Sequence, residues 1–500
     1  MNSSALFAPV PSCRWFPACL LSLAGALVLT GCGGGSTVTG SSPSPSSTMS
    51  GETAVVVLGT STANDQLAQF DVEFTGIQLV SKSGKTVPLL SSPITVEFMH
   101  LNGIAEPLAT IPIPQDDYTS ATITLGSAWF TCTGFESGVG LQNNTFEDGQ
   151  VPSSSISVQL PQPITVTGTA MALSLNLMVS QSMSYSGCQN NSSTTFSITP
   201  SFAITPVSIA AHPTNSTNGM ATGLHGLISS VDQNGNTLSV AGADGTNLFG
   251  PTWQINTSTN TVFQGISGFS KLAAGMPVNL DVAIQPDGSL LATRVAVYDT
   301  NTSNLNIFSG PVNSVVASPP AFFLIGQEQQ GYLDKSSYYL GAYSINSANA
   351  KFALSGALTN LQNLPFTPVF DSADMVAGQN LAVTSHVSSF PGGSLPVSTV
   401  TLMPQTINGT VSSVSSDGDF TTYTVALAPY DLFPNLALQP AQAATLASPD
   451  TVVIYVDSDT QELNSSPVSV GTVFRFNGLV FNDHGILRMD CAEINDGVPE

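Results

Sequence analysis

The heptapeptide HGLISSV, residues 225–231, reads as a strand with a glycine at its second position, and the chain repeats its pattern twice. Gly226-Leu227-Ile228-Ser229-Ser230-Val231 returns as Gly310-Pro311-Val312-Asn313-Ser314-Val315 and as Gly409-Thr410-Val411-Ser412-Ser413-Val414. A second block follows each copy. Gly275-Met276-Pro277-Val278 with Gly288-Ser289-Leu290-Leu291 matches Gly378-Gln379-Asn380-Leu381 with Gly393-Ser394-Leu395-Pro396, and Gly471-Thr472-Val473-Phe474 with Gly485-Ile486-Leu487-Arg488. The paired glycines stand 13, 15 and 14 residues apart, so three stretches keep one hairpin length, the mark of an internal repeat. Asn234-Gly235 and Asp417-Gly418 supply tight turns in the first and third copies. An opening strand, a middle strand or two and a closing hairpin suit a small OB-like β-barrel, which closes most of its own edges. The expected units are residues 213–300, 301–405 and 406–500, the second carrying an insertion around Gln327 to Ala348 and the third a Pro-containing excursion at Ala428 to Pro440.

Upstream, residues 53–212 alternate with period two. Phe70, Val72 and Phe74 do so, as do Met171, Leu173, Leu175, Leu177 and Val179, and Phe196, Ile198, Phe202 and Ile204 around Pro200. Such strands bury one face and solvate the other. Short strands, turn signals at Ser83-Gly84 and Pro114-Gln115-Asp116-Asp117, and no convincing amphipathic helix predict an antiparallel β-sandwich. The fold class is therefore all-β: a sandwich followed by three repeated barrels.

Two resemblances accompany these patterns. Through Thr53-Ala54-Val55-Val56-Val57, Phe70-Asp71-Val72-Glu73-Phe74-Thr75-Gly76-Ile77-Gln78-Leu79 and Tyr118-Thr119-Ser120-Ala121-Thr122-Ile123, the sandwich region resembles a lipoprotein-associated family, domain of unknown function 4382. The first repeat resembles another such family, domain of unknown function 5666, through His225 to Val231 and Ala274-Gly275-Met276-Pro277-Val278 to Arg294-Val295. Neither resemblance implies a catalytic residue, and the second and third repeats depart from it, so only the barrel carries over to them.

At the N-terminus an apolar run from Cys19 to Leu29 is too short to span a bilayer and reads as a signal peptide over residues 1–31. Leu29-Thr30-Gly31-Cys32 resembles the lipobox of bacterial lipoproteins, which implies cleavage before Cys32 and acylation of its thiol and new amino group. Acyl chains add burial energy per methylene, so Cys32 would hold a soluble protein at a membrane. Residues 32–52 are a Gly/Ser/Thr/Pro tether that cannot bury enough apolar surface to fold. Gly33 after the cysteine, rather than Asp, favours the outer membrane of the bacterial cell envelope.

The net charge is −23, and all but Arg14 of the nine Lys and Arg residues stand against 32 acids in the mature chain. Phosphate backbones would be repelled, which excludes nucleic acid as a partner. Of the cysteines left after cleavage, Cys132 and Cys188 both flank strand-like runs and are expected to pair; Cys491 is left as a small buried hydrophobe.

Chemistry is sparse in the sequence. His100, His212, His225, His386 and His484 form no H-E-x-x-H or H-x-H pattern and read as scattered surface or strand residues. Ser83-Gly84-Lys85-Thr86 lacks the first glycine of a phosphate loop, and Gly265-Ile266-Ser267-Gly268 lacks nucleophile-elbow spacing. Asp417 with Asp419 and Asp457 with Asp459 are spaced to share calcium or, more simply, to form turns. Trp129 and Trp253 read as core, whereas Tyr338, Tyr339 and Tyr343 are candidates for an exposed aromatic surface. No catalytic residue and no cofactor is nominated. Three readings of function remain open: a lipid-anchored, non-catalytic spacer, adhesion or binding protein with a protein or glycan ligand; an extracytoplasmic hydrolase working on polysaccharide through paired carboxylates; and a periplasmic assembly factor that holds a partner chain at a sheet edge.

Overall fold

The structure is a computed structural model. It describes residues 50–62, 67–132, 135–136, 140–141, 146–149, 155–185, 196–207, 209, 219–244, 247–316, 320–333, 342–356, 361–438, 445–463 and 466–496. The expected signal peptide, Cys32, nearly all of the tether, Tyr338, Tyr339 and Cys188 lie outside these residues. The side chain of Cys132 does too, and with it the expected disulfide.

The chain is all-β, with multiple sheets. Two sheets face each other at the N-terminal end: one in the order Phe202–Val207, Ala170–Leu177, Glu52–Ser61, Glu106–Pro114, the other built on Ser155–Val166, Asp116–Cys132, Leu67–Ser81 and Thr86–Pro88. Phe70, Val72 and Phe74 from one and Leu173, Leu175 and Leu177 from the other fill the space between them, as the alternation requires. Tyr118 is buried there and its hydroxyl donates 2.8 Å to the Pro114 carbonyl. One pairing departs from the antiparallel expectation: Glu52–Ser61 runs parallel to Ala170–Leu177. Val55-Val56-Val57-Leu58 is apolar at every position because this strand is covered on both faces. Val55 and Val57 point into the sandwich, while Val56 and Leu58 join the core of the first repeat.

The repeats share one plan. In the first, strands Met220–Asp232, Thr237–Asp244, Asn247–Asn256, Pro277–Ile284 and Leu290–Val297 close into a five-stranded barrel when the third meets the fifth in parallel at Ile255 and Leu290. The third repeat closes identically through Thr451–Val456 and Ile486–Asp496. In the second, the fifth strand is broken. Leu395–Pro396 meets Ala342–Asn346 in parallel, and Thr399–Leu402 pairs with Asn380–His386. Pro396, which lacks an N–H, stands at the break.

The recurring glycines explain why the motif repeats. A Cβ on Gly226, Gly310 or Gly409 would meet the carbonyl oxygen of Ala241, Ile325 or Ala426 on the neighbouring strand at 2.5 Å or less. Two residues later each opening strand is bulged, between Ile228 and Ser230, Val312 and Ser314, and Val411 and Ser413. The bulge bends the strand so that it can belong to both sides of the barrel. Gly275, Gly378 and Gly471, all at φ between 85° and 91°, donate 2.8 Å to the carbonyls of Ile228, Val312 and Val411. The second hairpin glycine is left-handed in the first and third repeats, at Gly288 and Gly485, but not at Gly393.

The units are not beads on a string. Leu479 and Phe481 of the third repeat pack into the core of the second, and Val376 of the second packs into the third. Ala68 of the sandwich meets Ile325, Ala377, Leu432 and Leu436. The last two belong to a short helix, Leu432–Ala437, inside the Pro-containing excursion and capped by Asp431. Among the described residues no helix is long and apolar enough to cross a membrane.

Candidate functional site

The loop from Phe98 to Ala105, between strands Ile94–Glu97 and Glu106–Pro114, is where the four β-units meet. Its Gly103 has φ 77°, and a Cβ there would strike Thr406 of the third repeat at 2.6 Å. The Gly103 carbonyl accepts 3.1 Å from Asn495, and Asn102 lies 3.5 Å from Asn408. Glu97 holds the loop: one carboxylate oxygen accepts from the amides of Phe70 and Met99, the other from the amide and Nδ1 of His100 at 2.9 Å each.

With Nδ1 tied to Glu97, His100 turns Nε2 toward two further carboxylates, 3.3 Å from Oε1 of Glu106 and 3.3 Å from Oε1 of Glu328. Glu328 comes from the second repeat, on Glu328–Gly331, where Ser309 donates 3.1 Å to its Oε2. His225 comes from the first repeat; its Nδ1 lies 2.8 Å from Glu328 Oε1 and 3.7 Å from Glu106 Oε1. A bulge at Thr222-Gly223, with Gly223 at φ 80° and its amide donating to Asp281, places that strand against the loop. The two imidazole rings stand 6.2 Å apart.

Burial alone would lower the pKa of His100, but Glu328 and Glu106 outweigh it and hold the imidazole well above its usual value. The same balance brings His225 up to about 10. Burial would raise Glu328, yet His100 and His225 take it down to about 2. The expectation of scattered histidines is thus overturned for His100 and His225. Their partners lie in other units of the chain, and spacing along the sequence carries no trace of them. His386 does stand apart, 3.2 Å from Asp299, and His484 is exposed. Among the described residues, His100, Glu106 and Glu328 are the set whose ligand atoms lie close enough together to hold a metal ion.

These side chains open on a cavity of about 340 Å³ with walls from all four units. The first repeat contributes Arg294, buried and gripped by Asp281 at 2.5 and 2.9 Å and by Asn279 at 2.6 Å. The third contributes Asp431, Asp457, Asp490 and Glu493. Burial pushes Asp490 up to about 7 and Glu493 up to about 8.

Of the aspartates singled out in the sequence, Asp457 and Asp459 line the cavity, Asp457 Oδ1 also accepting from the amides of Asp459 and Thr460. Asp417 and Asp419 are exposed at a hairpin tip. Tyr343 packs between Phe308 and Phe390, each 5.5 Å away, and so is no open platform. Trp129 is half-buried, and Trp253 packs on the first repeat's core. Cys491 is a buried free thiol.

Residues 225–296 match a family described as Domain of unknown function (DUF5666). The match falls within the first repeat, with His225 its first residue and Arg294 close to its end. No curated protein and no solved structure matches the chain. One sequence signal did point at the junction. The residue before the motif glycine is polar in all three repeats, and each one faces the centre: His225 toward Glu106 and Glu328, Ser309 to Glu328, Asn408 to Asp431 at 3.0 Å.

Proposed function

We propose that the protein is a non-catalytic binding protein of the bacterial cell envelope, tethered through a lipidated Cys32, in which four β-units enclose one ligand pocket. The observation that carries this reading is the junction cavity of about 340 Å³, within the size range of small-molecule sites and walled by every unit. Its lining is rich in carboxyl groups: Glu106 and Glu328 are paired with histidines, Asp490 and Glu493 are raised by burial, and Asp457 and Asp459 add to them, while Arg294 is already neutralised by Asp281. The ligand is accordingly a small cationic or hydroxyl-rich molecule. The lipobox, the tether and the resemblance of the sandwich to domain of unknown function 4382 support the envelope placement.

A thermal-shift screen of residues 50–500 against polyamines, amino sugars and neutral oligosaccharides tests the pocket. A compound that raises Tm, and raises it less in Asp431→Asn, is expected; a screen with no such compound sinks the reading. Replacing Cys32 by Ser should move the full chain from the membrane to the soluble fraction.

A second reading, polysaccharide hydrolysis, draws support from Asp490 and Glu493, whose raised pKa values are what a general acid needs, in the same cavity as Asp457. Release of reducing sugar from a polysaccharide, abolished in Asp490→Asn, is the result that separates it from binding alone.

A further inference from the structure

We propose that His100 Nε2, His225 Nδ1, Glu106 Oε1 and Glu328 Oε1 form a tetrahedral site for a divalent transition metal of the zinc class, clamping the sandwich to the first and second repeats. Four of the distances among these atoms are 3.3, 3.3, 2.8 and 3.7 Å. A tetrahedron whose corners lie about 2.0–2.1 Å from a central ion has edges of about 3.3–3.4 Å; His100 Nε2, Glu106 Oε1 and Glu328 Oε1 already lie close enough together to hold one ion, and His225 Nδ1, beside both carboxylates, completes the shell by turning toward His100.

Ion pairs draw these atoms together, but all four are buried and none meets its partner in hydrogen-bonding geometry. Buried polar atoms without well-aligned partners are uncommon, and a divalent ion that displaces the imidazolium protons would take up the lone pairs of all four.

The surrounding groups are those a metal site needs. A metal-bound imidazole characteristically donates its second ring N–H to a carboxylate; His100 does so to Glu97, itself fixed by three backbone amides. The second oxygen of Glu328 is held by Ser309. Two imidazole nitrogens with two carboxylate oxygens select zinc or its neighbours over calcium and magnesium, which take oxygen shells. Four protein ligands complete a tetrahedron, so the ion is structural. The four side chains line both the central cavity and a second one of about 110 Å³, which gives the ion a way in. This site does not depend on what else the cavity binds.

The test uses the full chain, purified without chelator and then stripped and titrated with Zn²⁺ by calorimetry, with Co²⁺ absorption as a second readout. One equivalent of Zn²⁺ per chain is expected, with a tetrahedral Co²⁺ spectrum and a Tm that falls on stripping and returns on reloading. In Glu97→Gln, whose carboxylate positions His100 without touching the ion, Zn²⁺ affinity should fall about 10–100-fold while the stoichiometry stays at one. In His225→Gln the tetrahedral spectrum should be lost. Binding that is absent in the wild-type chain, or equal in wild type and both variants, overturns the site. Should a variant fail to fold, the wild-type stoichiometry and Co²⁺ geometry decide alone.

Discussion

At the scale of single residues, buried acids set the pH response. Asp490 titrates at about 7 and Glu493 at about 8, in each case because burial disfavours the carboxylate. In the unfolded chain both would titrate near 4, so between about pH 4 and pH 8 the folded protein holds protons the unfolded chain has released. Stability therefore falls as pH rises through that window, each acid losing roughly 1.4 kcal/mol for every pH unit between its unfolded and folded pKa, and goes on falling above it as the raised imidazoles of His100 and His225 lose their protons. Tm should be several degrees higher at pH 5.5 than at pH 9, and Asp490→Asn should flatten the profile chiefly by raising Tm at alkaline pH. A profile identical in wild type and Asp490→Asn would show that this carboxyl is not the source. Cys491 beside it was legible as a buried hydrophobe, because an odd cysteine in a strand near the C-terminus has little else to be. His100 and Glu328 were not legible as a pair, since 228 residues separate two unremarkable positions.

At the scale of elements, the repeat was readable because its glycines are dictated by contact. Gly226, Gly310 and Gly409 lie against a neighbouring carbonyl, and any side chain there collides. The alternation in Phe70, Val72 and Phe74 was readable for the equally local reason that one face is wet. Strand Glu52–Ser61 hid its role. Its run of valines says buried on both sides, but not that the second side is another unit. Leu58 sits 2% exposed in the first repeat's core although it belongs to the sandwich. Leu58→Ala should cost about 2–5 kcal/mol and lower the melting of sandwich and barrel together. Two resolved transitions in calorimetry, with only one displaced, would contradict the shared core. The break at Pro396 and the helix Leu432–Ala437 were likewise beyond pattern reading, because both sit in stretches where the repeat departs from its own template.

At the scale of the whole molecule, the loop Phe98–Ala105 organises the rest. The sandwich supplies His100 and Glu106, the first repeat His225, the second Glu328, and the third closes the cavity with Asp431, Asp490 and Glu493. Sequence shows four units in a row; only packing shows that the polar residue heading each repeat is turned inward to a common centre. A metal held there would bind the folded junction and not the unfolded chain, so its affinity would add directly to the stability of the assembled units. The most direct measurement is a crystal structure of the zinc-loaded protein with anomalous data across the zinc absorption edge. A single strong peak about 2.0–2.1 Å from His100 Nε2, His225 Nδ1, Glu106 Oε1 and Glu328 Oε1 is the predicted result. No anomalous peak at that point, with both imidazoles paired directly to the carboxylates, would contradict the account.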